Sequence, residues 1–266
     1  MDFEEDARIY EYMSAANPSM QPVPVAFHTA DLHESGPTRF IPFDLSSQLG
    51  LDYQATSPNL MTGFLRICPN ESLSTSANAT SQAFYVIRGS GTSATEFGEV
   101  SWSEGDLFVV PATKSEISHR SSGDTAIYWV SDEPLLSYLG VTPNRKRFQV
   151  TVFRKDRMLK EVEEIRHQPG AEHKNRLGIL LGNKITEDNT LTLTHTLWSL
   201  LNMLPPHDAQ RPHRHNSVAI DLCVSAAKEG VYTLMGPELD ENGWVKNPIK
   251  APWQSGSVFV TPPGWW

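Results

Sequence analysis

The stretch Leu204–Leu222, LPPHDAQRPHRHNSVAIDL, decides how this chain is read. Its centre is His213-Arg214-His215, followed by the apolar run Val218-Ala219-Ile220. Alternate residues of an extended strand point to the same face, so a His-x-His pair there aims two imidazoles at one point. Two imidazoles converging in this way are a common start to a divalent-metal site. Asp221 lies an even number of residues from both histidines and is expected to face the same cavity.

The surroundings of this motif have the texture of an all-β protein. LMTGFLRI, QAFYVIRG, DLFVVPA and TAIYWVSD are short apolar runs broken by Gly, Asn and Ser. After a charged helical stretch, KDRMLKEVEEIRHQ, strand texture resumes in NTLTLTHTLWSLLNMLPP, SVAIDLCVS, GVYTLMG and GSVFVTPP. This rhythm predicts two β-rich halves of sandwich or barrel type. We divide the chain into a short N-terminal helix and extended arm (1–58), a first barrel (59–141), a connector (142–176) and a second barrel (177–266). The helix is expected over residues 3–16, with Ile9, Tyr10 and Met13 on its apolar face.

The bulk numbers exclude several partners. The 266 residues carry a net charge of −9, with 39% hydrophobic and 20% charged residues. That is ample for a packed core, and the acidic balance without a basic cluster argues against nucleic acid and anionic membrane surfaces. The two cysteines, Cys68 and Cys223, suggest no disulfide framework, and the acidic N-terminus does not resemble a signal peptide. No apolar stretch approaches the ~20 residues of a membrane span. The expectation is a cytoplasmic protein with a small-molecule substrate.

The segment from His207 resembles the first metal-binding motif of the cupin superfamily, in which five residues separate a turn residue from His-x-His. The final eleven residues, GSVFVTPPGWW (Gly256–Trp266), resemble the second cupin motif: Gly, five residues, Pro, any residue, Gly, two residues, then His. On that resemblance a third histidine would follow Trp266, and the second jelly-roll barrel is incomplete at its C-terminal end. The first half repeats the framework without the ligands. Counting from Asn70 puts Ser76 and Asn78 in the His-x-His places, and counting from Gly105 puts Glu116 in the place of the last histidine. We expect these three side chains to share a metal-free cavity. His119 is read as a rim or loop residue, and His195 as a strand residue near the second barrel.

The two-barrel layout resembles bicupins, and the His-Arg-His stretch looks most like gentisate- and salicylate-type 1,2-dioxygenases. The resemblance implies a mononuclear Fe(II) held by three histidines, with His213 and His215 as two of them; Zn, Ni and Mn are alternatives. Two departures stand out. That family carries its metal in the N-terminal barrel, and it has an arginine where this chain has Asp221. An Asp there would repel an anionic aromatic acid, so Asp221 is taken as a catalytic or substrate-orienting residue. Trp265 and Trp266 would offer a flat substrate an aromatic surface at the cavity mouth. A homodimer or higher homo-oligomer is implied by the resemblance alone. Three functions remain open: a metal-dependent oxygenase of a cyclic or aromatic molecule, a non-redox metal isomerase or hydrolase, and a binding module without turnover.

Overall fold

The computed structural model describes residues 3–16, 22–174 and 176–266. The expected N-terminal helix shrinks to one turn, α1 (Tyr12–Ala15), capped by the Glu11 carboxylate on the amides of Met13 and Ser14. Ile9, Tyr10 and Met13 stay exposed. With nothing to pack against, the apolar face cannot offset the cost of nucleating a longer helix.

The arm continues with β1 (Ala26–His28), α2 (Asp31–Glu34), β2 (Arg39–Pro42) and α3 (Ser46–Leu49). Eight strands follow: β3 (Met61–Ile67), β4 (Ser72–Thr75), β5 (Ser81–Arg88), β6 (Ser90–Thr95), β7 (Gly98–Ser103), β8 (Leu107–Pro111), β9 (Ile117–Ser121) and β10 (Thr125–Ser131). After α4 (Glu133–Leu139) come β11 (Thr151–Phe153) and α5 (Lys155–Arg166), the helix expected from the charged stretch. The second half holds β12 (Leu177–Leu180), β13 (Leu200–Met203), β14 (Ala219–Leu222), β15 (Tyr232–Met235), β16 (Ile249–Pro252) and β17 (Val258–Thr261).

The first half is a double-sheet jelly roll. A six-stranded sheet, β11-β8-β5-β10-β3-β2, faces a four-stranded sheet, β4-β9-β6-β7, and all pairings in both are antiparallel. The arm and the connector each lend the large sheet an edge strand. Between the sheets lie Leu65, Phe84, Phe108, Trp102, Ile117, Ile127 and Trp129, all buried. Phe84 and Phe108 stack with ring centroids 4.8 Å apart. Inward residues alternate with outward ones along each strand, as a two-sheet core requires.

The second half is less regular. It holds three small sheets, β1-β17-β14, β12-β13 and β15-β16. Alternation on the first of these sorts its residues. Ile220, Leu222 and Val258 pack outward against Phe43, Phe64 and Tyr128 of the first half. Phe259, on the opposite face, packs with Met235, Ala251, Trp253 and Trp265.

Four turn positions tie the halves together. Asn70 and His207 have φ of 65° and 66°, and Gly105 and Gly256 have φ of 85° and 83°. These are the four residues from which the repeated framework is counted in the sequence. Only glycine adopts this left-handed region without steric cost, and Asn is among the better-tolerated exceptions.

Candidate metal and substrate site

His213 and His215 do not lie on a regular strand; residues 211–215 run irregularly into β14. Their rings still converge, with centroids 5.2 Å apart and planes at 81°. The Gly264 amide donates to the His215 carbonyl (2.8 Å), which pins the irregular segment against the Pro262–Gly264 turn. Two imidazoles bonding one ion at ~2.1 Å through their nitrogens would have ring centres roughly 5 Å apart. The donor chemistry also fits. Burial, and then the Arg176 guanidinium, lower the pKa of both histidines, so both are neutral and able to ligate near pH 7. Among the described residues no group of three or more His, Cys, Asp and Glu side chains gathers around one point. His213 and His215 are the two imidazoles that converge here.

Asp221 sits on β14 directly across from Phe259 of β17, so the two side chains share one face of the sheet. Surrounding protein pushes its carboxyl up to about 6, and Arg176 pulls in the opposite direction. Asp221 is nonetheless exposed to solvent. Water there weakens the desolvation and leaves its upward direction. Arg176 was missed by the sequence reading. It stands at the end of the connector, immediately before β12, where no periodic pattern marks it. Its charge acts on His213, His215 and Asp221 together. A cation therefore acts on Asp221, a charge that the expected repulsion of an anionic acid left out.

Aromatic groups surround this set. The Trp198 ring lies 5.9 Å from that of His215, with half of its surface exposed. Trp265 is half-buried against the Met235–Ala251–Phe259 cluster. Trp266 exchanges two backbone hydrogen bonds with Gly236, and the Arg214 guanidinium lies 4.7 Å from its ring centre. His195 is not on a strand. It occupies an irregular loop, exposed, with its ring edge-on to Phe148.

The first barrel's interior differs from expectation by one register. Ser76 and Glu116 are exposed, and the Asn78 carboxamide donates to the Val141 carbonyl outside the barrel. Thr75, Ala77 and His119 point inward instead. A one-residue slip exchanges the two faces of a strand, and counting from the turn could not fix it. His119 is fully buried, and both its ring nitrogens are bonded, to Thr75 Oγ1 (2.9 Å) and Ser93 Oγ (2.8 Å). Trp102 Nε1 donates to the same Ser93 oxygen. The buried side-chain groups without a partner on the inner face, on Gln82, Ser131 and Trp129, are all neutral.

Together these features describe a two-barrel fold of cupin type whose second half carries a convergent histidine pair. Among solved structures, the chain is similar to a salicylate 1,2-dioxygenase from Pseudaminobacter salicylatoxidans. The TM-score is 0.65 at 16% identity, covering 99% of this chain and 86% of that one. The gentisate adduct of salicylate 1,2-dioxygenase gives 0.62 at 15% identity, over 95% of this chain and 80% of that one. Among curated proteins, a 5-aminosalicylate 1,2-dioxygenase from a Comamonas species is 29% identical over 86 residues, which are 32% of this chain and 23% of that protein. No family model matches the chain. No helix among the described residues is long and apolar enough to cross a membrane.

Proposed function

We propose that this chain is a dioxygenase-like metal cupin acting on an aromatic hydroxy acid of the salicylate class. The observation that carries the reading is that one guanidinium, Arg176, acts electrostatically on His213, His215 and Asp221 alike. A carboxylate-bearing ring needs a cation to hold it, and guanidinium presents paired donors that match a carboxylate. His213 and His215 would hold the ion. An Fe(II) there would supply Lewis acidity and the electrons that make O₂ reactive, whereas Zn, which has no redox chemistry, would supply Lewis acidity alone.

Each remaining residue has a defined task. Arg176 takes the substrate carboxylate and fixes the ring's orientation. Asp221, with its carboxyl raised toward neutrality, exchanges a proton or a hydrogen bond with a ring hydroxyl or amine. That pairing suits an aminosalicylate as well as salicylate itself. Trp198 and Trp265 offer flat surfaces beside the ring and narrow the access of water.

The test is oxygen uptake by protein loaded with Fe(II) in the absence of air and then given salicylate, gentisate or 5-aminosalicylate. Uptake that depends on one of these acids, and is lost on loading with Zn, supports the oxygenase. Saturable binding of the acids with no uptake would leave a binding module. Turnover of an acid by the Zn form would point to the non-redox alternative.

A further inference from the structure

The N-terminal arm crosses to the second half through β1, and its side chains alternate sharply in environment. Ala26 packs with Val260 and its neighbours, and His28 stacks on Phe43 at 3.8 Å with the planes 4° apart. Those even-numbered residues anchor the strand to the body. The odd-numbered ones face the other way. Val25 packs onto the Met235–Ala251–Phe259 cluster. Phe27 is directly opposite Phe259 on β17, which is directly opposite Asp221 on β14. Side chains opposite one another in a sheet share a face, so Phe27, Phe259 and Asp221 form one transverse row. Phe259 is buried at 4% exposure, whereas Phe27 keeps 46% of its surface open.

We propose that Phe27 is a specificity-determining residue: the arm supplies the aromatic wall of the site opposite Asp221, and that wall selects ring-bearing acids over aliphatic ones. The row places a half-open ring on the face that carries the Asp221 carboxylate. The strand bearing it is held by the His28 stack and by His33, whose Nε2 lies 3.1 Å from the Gly256 carbonyl at the start of β17. The wall is therefore fixed before a ligand arrives, which lowers the cost of ordering it on binding. This inference rests on the function proposed above.

The experiment uses the full chain loaded with Fe(II) without oxygen and titrated with salicylate and with 2-hydroxyisobutyrate, an aliphatic acid with the same carboxylate and hydroxyl donors. Wild type is expected to prefer salicylate. Phe27→Ala is expected to weaken salicylate binding about tenfold and to change the aliphatic acid by less than twofold, consistent with the modest worth of one aromatic contact. Phe27→Tyr should keep the preference, with an unchanged thermal midpoint and metal content. Equal losses for both acids, or no loss for salicylate, would overturn the inference while leaving the proposed function standing. Failure of wild type to bind either acid would overturn both.

Discussion

The first barrel and the second half are built on the same turns and filled in opposite ways. Asn70 and Gly105 in one, and His207 and Gly256 in the other, place equivalent left-handed bends. Inside the first barrel, stacked aromatic rings occupy the space, and its one imidazole is bonded at both nitrogens. In the second half the imidazoles of His213 and His215 are only half-buried, with a guanidinium and a carboxylate acting on the same space. The lesson is that the barrel frame does not create a site. His213 bonds the Arg211 backbone through its ring, whereas both nitrogens of His119 are taken up. A histidine is available to a metal when a ring nitrogen is left for the ion, and it is a structural residue when its neighbours bond both.

The sharpest way to break that contrast is to remove the histidine pair. His213→Ala with His215→Ala should abolish stoichiometric binding of divalent metal, read by elemental analysis, and leave the first barrel's unfolding transition in place. Metal retained at one equivalent would mean the ion is held elsewhere.

The complementary change is made in the first barrel. His119→Ala removes a buried ring and strands the Thr75 and Ser93 hydroxyls, which should cost about 3–5 kcal/mol in denaturant unfolding, with metal content unchanged. Burial lowers the His119 pKa to about 3 from an ordinary 6.5. Below 6.5 the unfolded chain therefore binds a proton that the folded one refuses. The stability contributed by this neutral ring is fully present above pH 6.5 and is lost as pH falls toward 3, at up to about 1.4 kcal/mol per pH unit. His119→Gln should flatten that part of the acid limb; an unchanged slope would show that His119 titrates normally.

A smaller effect is expected at Arg176. Arg176→Gln should weaken binding of salicylate about tenfold, the usual scale for losing a solvent-accessible charge-assisted pair. It should also move the Asp221 carboxyl further upward, because the guanidinium now holds it down. Carbon-13 NMR of the Asp221 side chain across pH 4–8 reads this directly. A downward move would place Arg176 away from the carboxylate.

The smallest change is made at a turn. His207 adopts φ of 66° with a branched ring to accommodate, whereas Gly256 occupies the equivalent kind of bend freely. His207→Gly should raise stability by about 1 kcal/mol, measured by denaturant midpoint. A loss instead would mean that the imidazole makes a contact that outweighs the backbone relief.

Much of this architecture was legible in the chain because turns and apolar runs are local signals. The four bends, the strand texture and the α5 helix all depend on residues close in sequence. The His213–His215 convergence was legible too, although the segment is irregular where a strand was expected. Facing was not legible in the first barrel. Ser76 and Asn78 fall outward and Thr75 and Ala77 inward, because a short irregular link between β4 and β5 shifts the parity. Arg176 and Phe27 were invisible for a different reason. Phe27 is placed by long-range pairing with β17 and Arg176 acts at long range on Asp221, and nothing in NRLGIL or VAFHT announces either.

The pairing of β1 with β17 also bears on how the molecule is made. His33 and Gly256, joined at that junction, are 223 residues apart in sequence. As the chain is synthesised, β3 to β10 can close the first barrel from contacts among neighbours, while β1 must wait for β17. Contacts of such separation form late and slow folding. A nascent chain would present Val25 and Phe27 as an unpaired apolar edge until β17 emerges, and a holdase that recognises extended apolar segments would find its target there.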